Sequence, residues 1–148
     1  MSEWINLAVT KSDNRSINTY NKYKLQEHMS DSKAAFVEEL KSRTKNFSLR
    51  AIKVFQALPT TDEARVMGKQ FLPSATSAAA NYRAVCRSRS KAEYFSKMSI
   101  VVEEMDESLF WLEIIEESGL LPPERLKILK NEATELVKIF ATARKNTV

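Results

Sequence analysis

The densest chemistry in this chain is a run of cations: Arg83, Arg87, Arg89 and Lys91 stand between Asn81 and Lys91 with no acid among them. Long cationic side chains clustered in this way can track the phosphates of a nucleic acid. Immediately afterwards the sign reverses. Between Val101 and Glu117 there are seven acids, Glu103, Glu104, Asp106, Glu107, Glu113, Glu116 and Glu117, and no base. Glu103 and Glu107, four residues apart, would share one face of a helix and could ligate a metal ion. Carboxylate metal sites in helical bundles add Glu-x-x-His motifs, however, and the single histidine, His28, lies far from these acids in the sequence. No nucleophile or orienting acid is identifiable beside His28. Most of the acids fall on one polar arc, where carboxylates are solvated and poor at proton transfer. The chain also lacks a Gly-rich phosphate loop and a series of base-stacking aromatics. It therefore reads as non-enzymatic, with no catalytic residue, cofactor or metal site.

Four hydrophobic seams must position these charges. They run Leu40, Thr44, Phe47, Ala51, Val54, Leu58; Ala64, Gly68, Phe71, Ala75, Ala78, Tyr82, Val85; Phe95, Met98, Val102, Met105, Leu109, Leu112; and Leu126, Leu129, Ala133, Leu136, Phe140, Ala143. Alternating three- and four-residue spacing keeps one stripe of a helix against a partner helix. The fold class this predicts is all-α, an up-down antiparallel four-helix bundle over residues 31–146.

Capping chemistry supplies the ends. Ser30 or Asp31 can start the first helix and Pro59 stops it. Thr60 or Thr61 caps the second, with Asp62 and Glu63 complementing its dipole, and it should run to about Arg87. Pro73 lies inside it and predicts a kink or a break. The small residues from Ser74 to Ala80 let a neighbouring helix approach closely. Ser88 or Ser90 caps the third helix, and Gly119 suits the left-handed conformation that closes it. Pro122 and Pro123 open the fourth, which extends to about Lys145. Short connections make successive helices antiparallel.

Residues 1–30 differ from the rest, mixing Ser, Asn, Thr, Lys and Tyr without a period, and read as a disordered N-terminal extension. Trp4, Ile5, Leu7 and Val9 could form a short docking element within it. The 148 residues are 43% hydrophobic and 28% charged, enough for one core. Cys86 is the only cysteine, which excludes an internal disulfide and suits a reducing compartment. No apolar run approaches the roughly 18 residues of a membrane span, and Met1 to Val9 does not resemble a secretory signal. These features point to the cytoplasm and away from a membrane partner. A net charge of +4 permits nucleic-acid binding without requiring it.

Helix three carries a second stripe beside its seam: Lys97, Val101, Glu104, Ser108, Trp111 and Ile115. Two apolar stripes exceed what one intramolecular face needs, so Val101, Trp111 and Ile115 are candidates for an interface between copies of the chain; alternatively, Trp111 fills the core of a single chain. Glu104 projects among these apolar residues. A desolvated carboxylate needs donors, and antiparallel packing brings Thr76 and Ser77 near it with Asn81 one turn away. Ser77, Asn81 and Glu104 are thus candidate buried polar residues with a structural role.

The stretches Ser77–Arg83, Cys86–Phe95, Val101–Glu107 and Trp111–Glu113 resemble the bacterial four-helix-bundle proteins of 23S ribosomal RNA intervening sequences. The resemblance covers roughly residues 36–145; where the commoner motif has Ile-Ala-Glu-Gly after the asparagine, this chain has Tyr82, Arg83, Ala84 and Val85. It implies an up-down bundle that assembles into a homopentamer. A related protein is the accessory to the reverse transcriptase of diversity-generating retroelements and binds nucleic acid through a basic surface. Two functions stay open. One is an oligomeric RNA- or DNA-binding accessory to a nucleic-acid-processing protein, with Arg83, Arg87, Arg89 and Lys91 as its contacts. The other is a protein-only interaction module, in which those cations are tied to acids such as Glu93.

Overall fold

The computed structural model describes residues 13–147, with side chains from Ile17 onward. Its helices are α1 (Asp13–Ala57), α2 (Asp62–Val85), α3 (Lys91–Glu117) and α4 (Pro123–Lys145). Two compact units meet between Glu38 and Glu39. No helix among the described residues is long and apolar enough to cross a membrane.

In the first unit the expected helix start is corrected. α1 begins at Asp13 rather than at Ser30 or Asp31, so residues 13–30 are helical instead of an irregular tail. Neither glycine nor proline interrupts Asp13 to Ala57, and a Ser or Asp inside a helix costs only about 0.5 kcal/mol, too little to end one. Capping residues mark where a helix can begin; they do not oblige it to begin there. The side chains from Ile17 to Phe36 are exposed, among them Tyr20, Tyr23, Leu25 and Met29. Residues 1–12, with Trp4, Ile5, Leu7 and Val9, lie outside the described residues.

In the second unit the seams of α1, α2 and α4 are buried as predicted, from Leu40 to Val54, Ala64 to Val85 and Leu126 to Phe140. Their ends follow the capping chemistry. Thr61 Oγ1 accepts the Ala64 amide at 3.4 Å, and Ser90 Oγ accepts that of Glu93 at 3.1 Å. After α3, Leu120 N donates to Ile115 O and Gly119 N to Glu116 O, with Gly119 at φ 75. This pairing satisfies the last carbonyls of α3 and requires the left-handed backbone. Pro73 bends no boundary: α2 continues through it.

α3 departs from its predicted seam. The buried line is Met98, Val101, Met105, Ser108, Leu112 and Ile115, while Val102 and Leu109 are only partly buried and Phe95 is exposed. Small residues on α2 explain the rotation. Ser108 Oγ reaches Ser74 Oγ at 3.1 Å beside the fully buried Ala75 and Ala78, a separation a leucine at that position would not permit. The pair is satisfied locally: Ser74 donates to Phe71 O, and the one proton of Ser108 has Glu104 O at 2.7 Å and Ser74 Oγ as its two acceptors.

Polar clamps tie the outer helices. Arg43 on α1 forks onto Glu132 on α4, its Nε and Nη2 each 2.8 Å from a carboxylate oxygen, and Nη2 also reaches Glu135. Lys130 on α4 pairs with Glu116 on α3 at 2.9 Å. The guanidinium holds the Glu132 carboxyl below its ordinary range and is itself raised by the pairing. A carboxylate with a depressed folded-state pKa stabilises the protein above its unfolded-state value and loses that contribution as pH falls through the folded one. Arg43→Ala should therefore lower stability by about 1–3 kcal/mol at neutral pH, the clamp being part-buried. Urea denaturation at a series of pH values should show the deficit shrinking below about pH 4.

Candidate nucleic-acid interface

Arg83 lies in the last turn of α2, where a cation complements the helix dipole. Arg87 and Arg89 lie in the turn to α3, and Lys91 is its first residue. The turn is tight because Arg87 N donates to Ala84 O and Ser88 N to Val85 O, continuing the winding of α2 for two more residues. All four cations are exposed, and none has an ion pair or side-chain hydrogen bond among the described residues. Their proposed acidic partner is engaged elsewhere. Glu93 takes Lys97 Nζ at 2.5 Å on one oxygen and the Arg89 backbone N–H at 2.8 Å on the other. Those two donors, with the charges of Lys97 and Arg89 behind them, hold its carboxyl below the ordinary range. The same arrangement closes the N-terminus of α3. The Glu93 amide of α3 is capped by Ser90, and the Glu93 carboxylate takes the Arg89 N–H just before the helix, so these two backbone donors are already engaged. Ser88 Oγ is buried without a hydrogen-bond partner among the described residues.

The bundle adds components that the cluster's sequence neighbourhood does not contain. α4 ends at the same end of the bundle, and its last turn carries Arg144 and Lys145. They line an open surface pocket of ≈ 460 Å³ with Ala141, Thr142 and the exposed ring of Phe95. An aromatic face flanked by cations can stack a base while the cations hold phosphates. Sequence reasoning missed this set because residues 141–145 lie far along the chain from the arginine run and Phe95 was read as part of the inward seam; antiparallel topology was the available signal, since it returns the end of α4 to the α2–α3 turn.

The remaining candidates separate. Val101 and Ile115 are wholly buried within the single chain and cannot face a second copy. Of the three interface candidates only Trp111 reaches the surface. It is half-buried, donates from Nε1 to Glu107 at 3.1 Å and meets the exposed Phe110 edge-on with ring centroids 5.0 Å apart. The buried polar trio is also redrawn. Ser77, Asn81 and Glu104 are intermediate in exposure, whereas Thr44, Ser74 and Ser108 are the buried polar residues. Asn81 bonds the Ser77 carbonyl and Thr76 the carbonyls of Leu72 and Pro73, within α2. Hydroxyls on a helix find the preceding turn before a distant carboxylate. Glu104 is thus left without a donor among the described residues. Among those residues, no group of three His, Cys, Asp or Glu side chains could hold a metal ion.

An up-down helical bundle with a cationic end is the class of protein these features define. Residues 38–142 match the family described as 23S rRNA-intervening sequence protein, and the chain belongs to that family. It is similar to the crystal structure of a protein of unknown function from the S23 ribosomal protein family of Bacteroides thetaiotaomicron. The TM-score is 0.67 at 28% identity, over 72% of this chain and 98% of that one. No curated protein matches significantly.

Glu104 offers a direct test of the local electrostatics. Desolvation first, then the charges of Glu107 and Glu103, raise its pKa. A carboxyl whose folded-state pKa exceeds the unfolded one destabilises the native state once ionised, above its ordinary value, and the penalty is absent at lower pH. Glu104→Gln should raise the melting temperature by about 1–3 °C at pH 7, with the advantage gone near pH 4. A lower melting temperature at pH 7 would show instead that a donor holds the Glu104 carboxylate.

Proposed function

We propose that this chain is a non-enzymatic cytoplasmic binding protein whose copies assemble and whose cationic end engages RNA or DNA in support of a nucleic-acid-processing protein. The observation that carries this reading is the absence of ion-pair partners for Arg83, Arg87, Arg89 and Lys91 among the described residues, beside an exposed Phe95 flanked by Arg144 and Lys145. A structural role for the cations would normally leave them paired with nearby carboxylates, yet the nearest candidate, Glu93, is engaged by Lys97 and by backbone. Cations and a ring without such obligations suit phosphate contact and base stacking. Assembly supplies the avidity. One subunit offers few contacts, whereas copies around an axis repeat them; five copies is the number that the family resemblance implies.

Filter binding with mixed single-stranded RNA should give a log–log salt slope of about −3 for each subunit engaged, from four phosphate contacts. Arg87→Glu with Arg89→Glu should abolish retention while leaving helicity unchanged, and Phe95→Ala should weaken it by about tenfold. Absence of wild-type binding at low salt, or full binding by the double reversal, would leave the protein-only module as the function.

Self-association is tested separately. Light scattering on the purified chain should show an oligomer, and Trp111→Glu, placed beside Phe110, should shift it toward monomer. A wild-type monomer at micromolar concentration would remove assembly from the proposal.

A further inference from the structure

A second positive site lies at the opposite end of the bundle, where α1 finishes and α4 begins. Arg50, Lys53 and Arg125 line a pocket of ≈ 190 Å³ whose walls are Val54, Ala57, Leu121 and Leu129. The three cations are exposed, and none has an ion pair or side-chain hydrogen bond among the described residues. No carboxylate lines the pocket. Glu132 feels the charge of Arg50, but both its oxygens are held by Arg43. Like charges converging on a concave surface repel one another, and the N-terminus of α4, which has no side-chain cap, adds to the same field.

We infer that this pocket binds a phosphate monoester, independently of nucleic-acid contact at the other end. Two guanidinium groups and an ammonium match a dianion with several acceptor oxygens. Shape favours a terminal group over a passing backbone phosphodiester, because the pocket is concave. Its volume falls below the roughly 300 Å³ at which sites for drug-sized ligands begin, which suits a phosphate with the first carbons of its ester against the wall of Val54, Ala57, Leu121 and Leu129. Two sources share that chemistry: a small phosphorylated metabolite, and the phosphorylated 5′ end of a nucleic-acid strand.

The full chain, isotopically labelled, should be titrated with inorganic phosphate, uridine 5′-monophosphate, and a short oligoribonucleotide with and without a 5′-phosphate. Chloride at matched ionic strength is the reference. Phosphate and the monophosphate should shift amide resonances around Ala57 and Leu121 at concentrations where chloride does not. Lys53→Gln with Arg125→Gln should weaken binding at least about tenfold, as should Arg50→Gln alone. Shifts of those same Ala57 and Leu121 resonances by the phosphorylated oligonucleotide assign the strand end as a source; shifts there by the mononucleotide alone assign the metabolite. Both results sustain the phosphate site. Equal shifts there with chloride, shifts there by the oligonucleotide lacking the 5′-phosphate as large as those by the monophosphate, or undiminished binding by the well-folded pocket variants would overturn it.

Discussion

The close approach of α2 and α3 governs everything displayed on the surface of the second unit. Ser74, Ala75 and Ala78 present almost no side chain, so α3 settles against them until two hydroxyls meet at 3.1 Å. That contact sets the rotation of α3 about its own axis. Turning it inward at Ser108 buries Val101 and Ile115 and brings Trp111 to the boundary. The same rotation turns Phe95 out toward the end of α4 and leaves Glu104 on the rim, partly desolvated. Because every residue of a rigid helix turns together, one contact between small side chains selects both the core and the exposed set.

Charge is distributed along the bundle by a similar logic. Across helices, cations and acids face each other, as Arg43 does Glu132 and Lys130 does Glu116. At the two ends Lys97 still pairs with Glu93 and Arg65 with Asp62, but the cations of the two sites described above have no such pair among the described residues. Helix termini bring their own partial charges, and Arg83, Arg144 and Lys145 stand where those charges are negative. Arg125 stands where they are positive. The former arrangement stabilises its helices as well as presenting cations; the latter does not, which separates a cation that serves the fold from one that calls for another explanation.

Much of this was legible in the residues themselves. Three of four seams, the caps at Thr61 and Ser90, and the left-handed close at Gly119 follow from local chemistry, because each depends on residues within a few positions. The α3 seam was harder, since Val101 and Val102, or Ser108 and Leu109, differ little or mislead by hydrophobicity; only the small residues opposite decide between them. The start of α1 could not be read from Ser30 and Asp31, which permit a beginning that the uninterrupted chain does not use. For the cationic end, the arginine run was visible, but that Glu93 meets Arg89 through its backbone N–H and gives its other oxygen to Lys97 was not, because which oxygen Glu93 offers to which donor is a matter of three-dimensional geometry. Phe95 was assigned inward on periodicity and stands outward.

The chain has two glycines, and they answer opposite demands. At Gly68 a methyl group would come within 2.8 Å of Leu58 Cδ1 and 2.9 Å of the Phe55 ring, so what matters there is room. At Gly119 nothing lies within 4 Å of where that methyl would stand, yet the backbone sits at φ 75. The obstacle there is handedness alone. A residue of mirror-image configuration would occupy that conformation without strain while narrowing the freedom of the unfolded chain. The turn that closes α3 is therefore a place where the protein is limited by the chirality of its building blocks, not by the space around them.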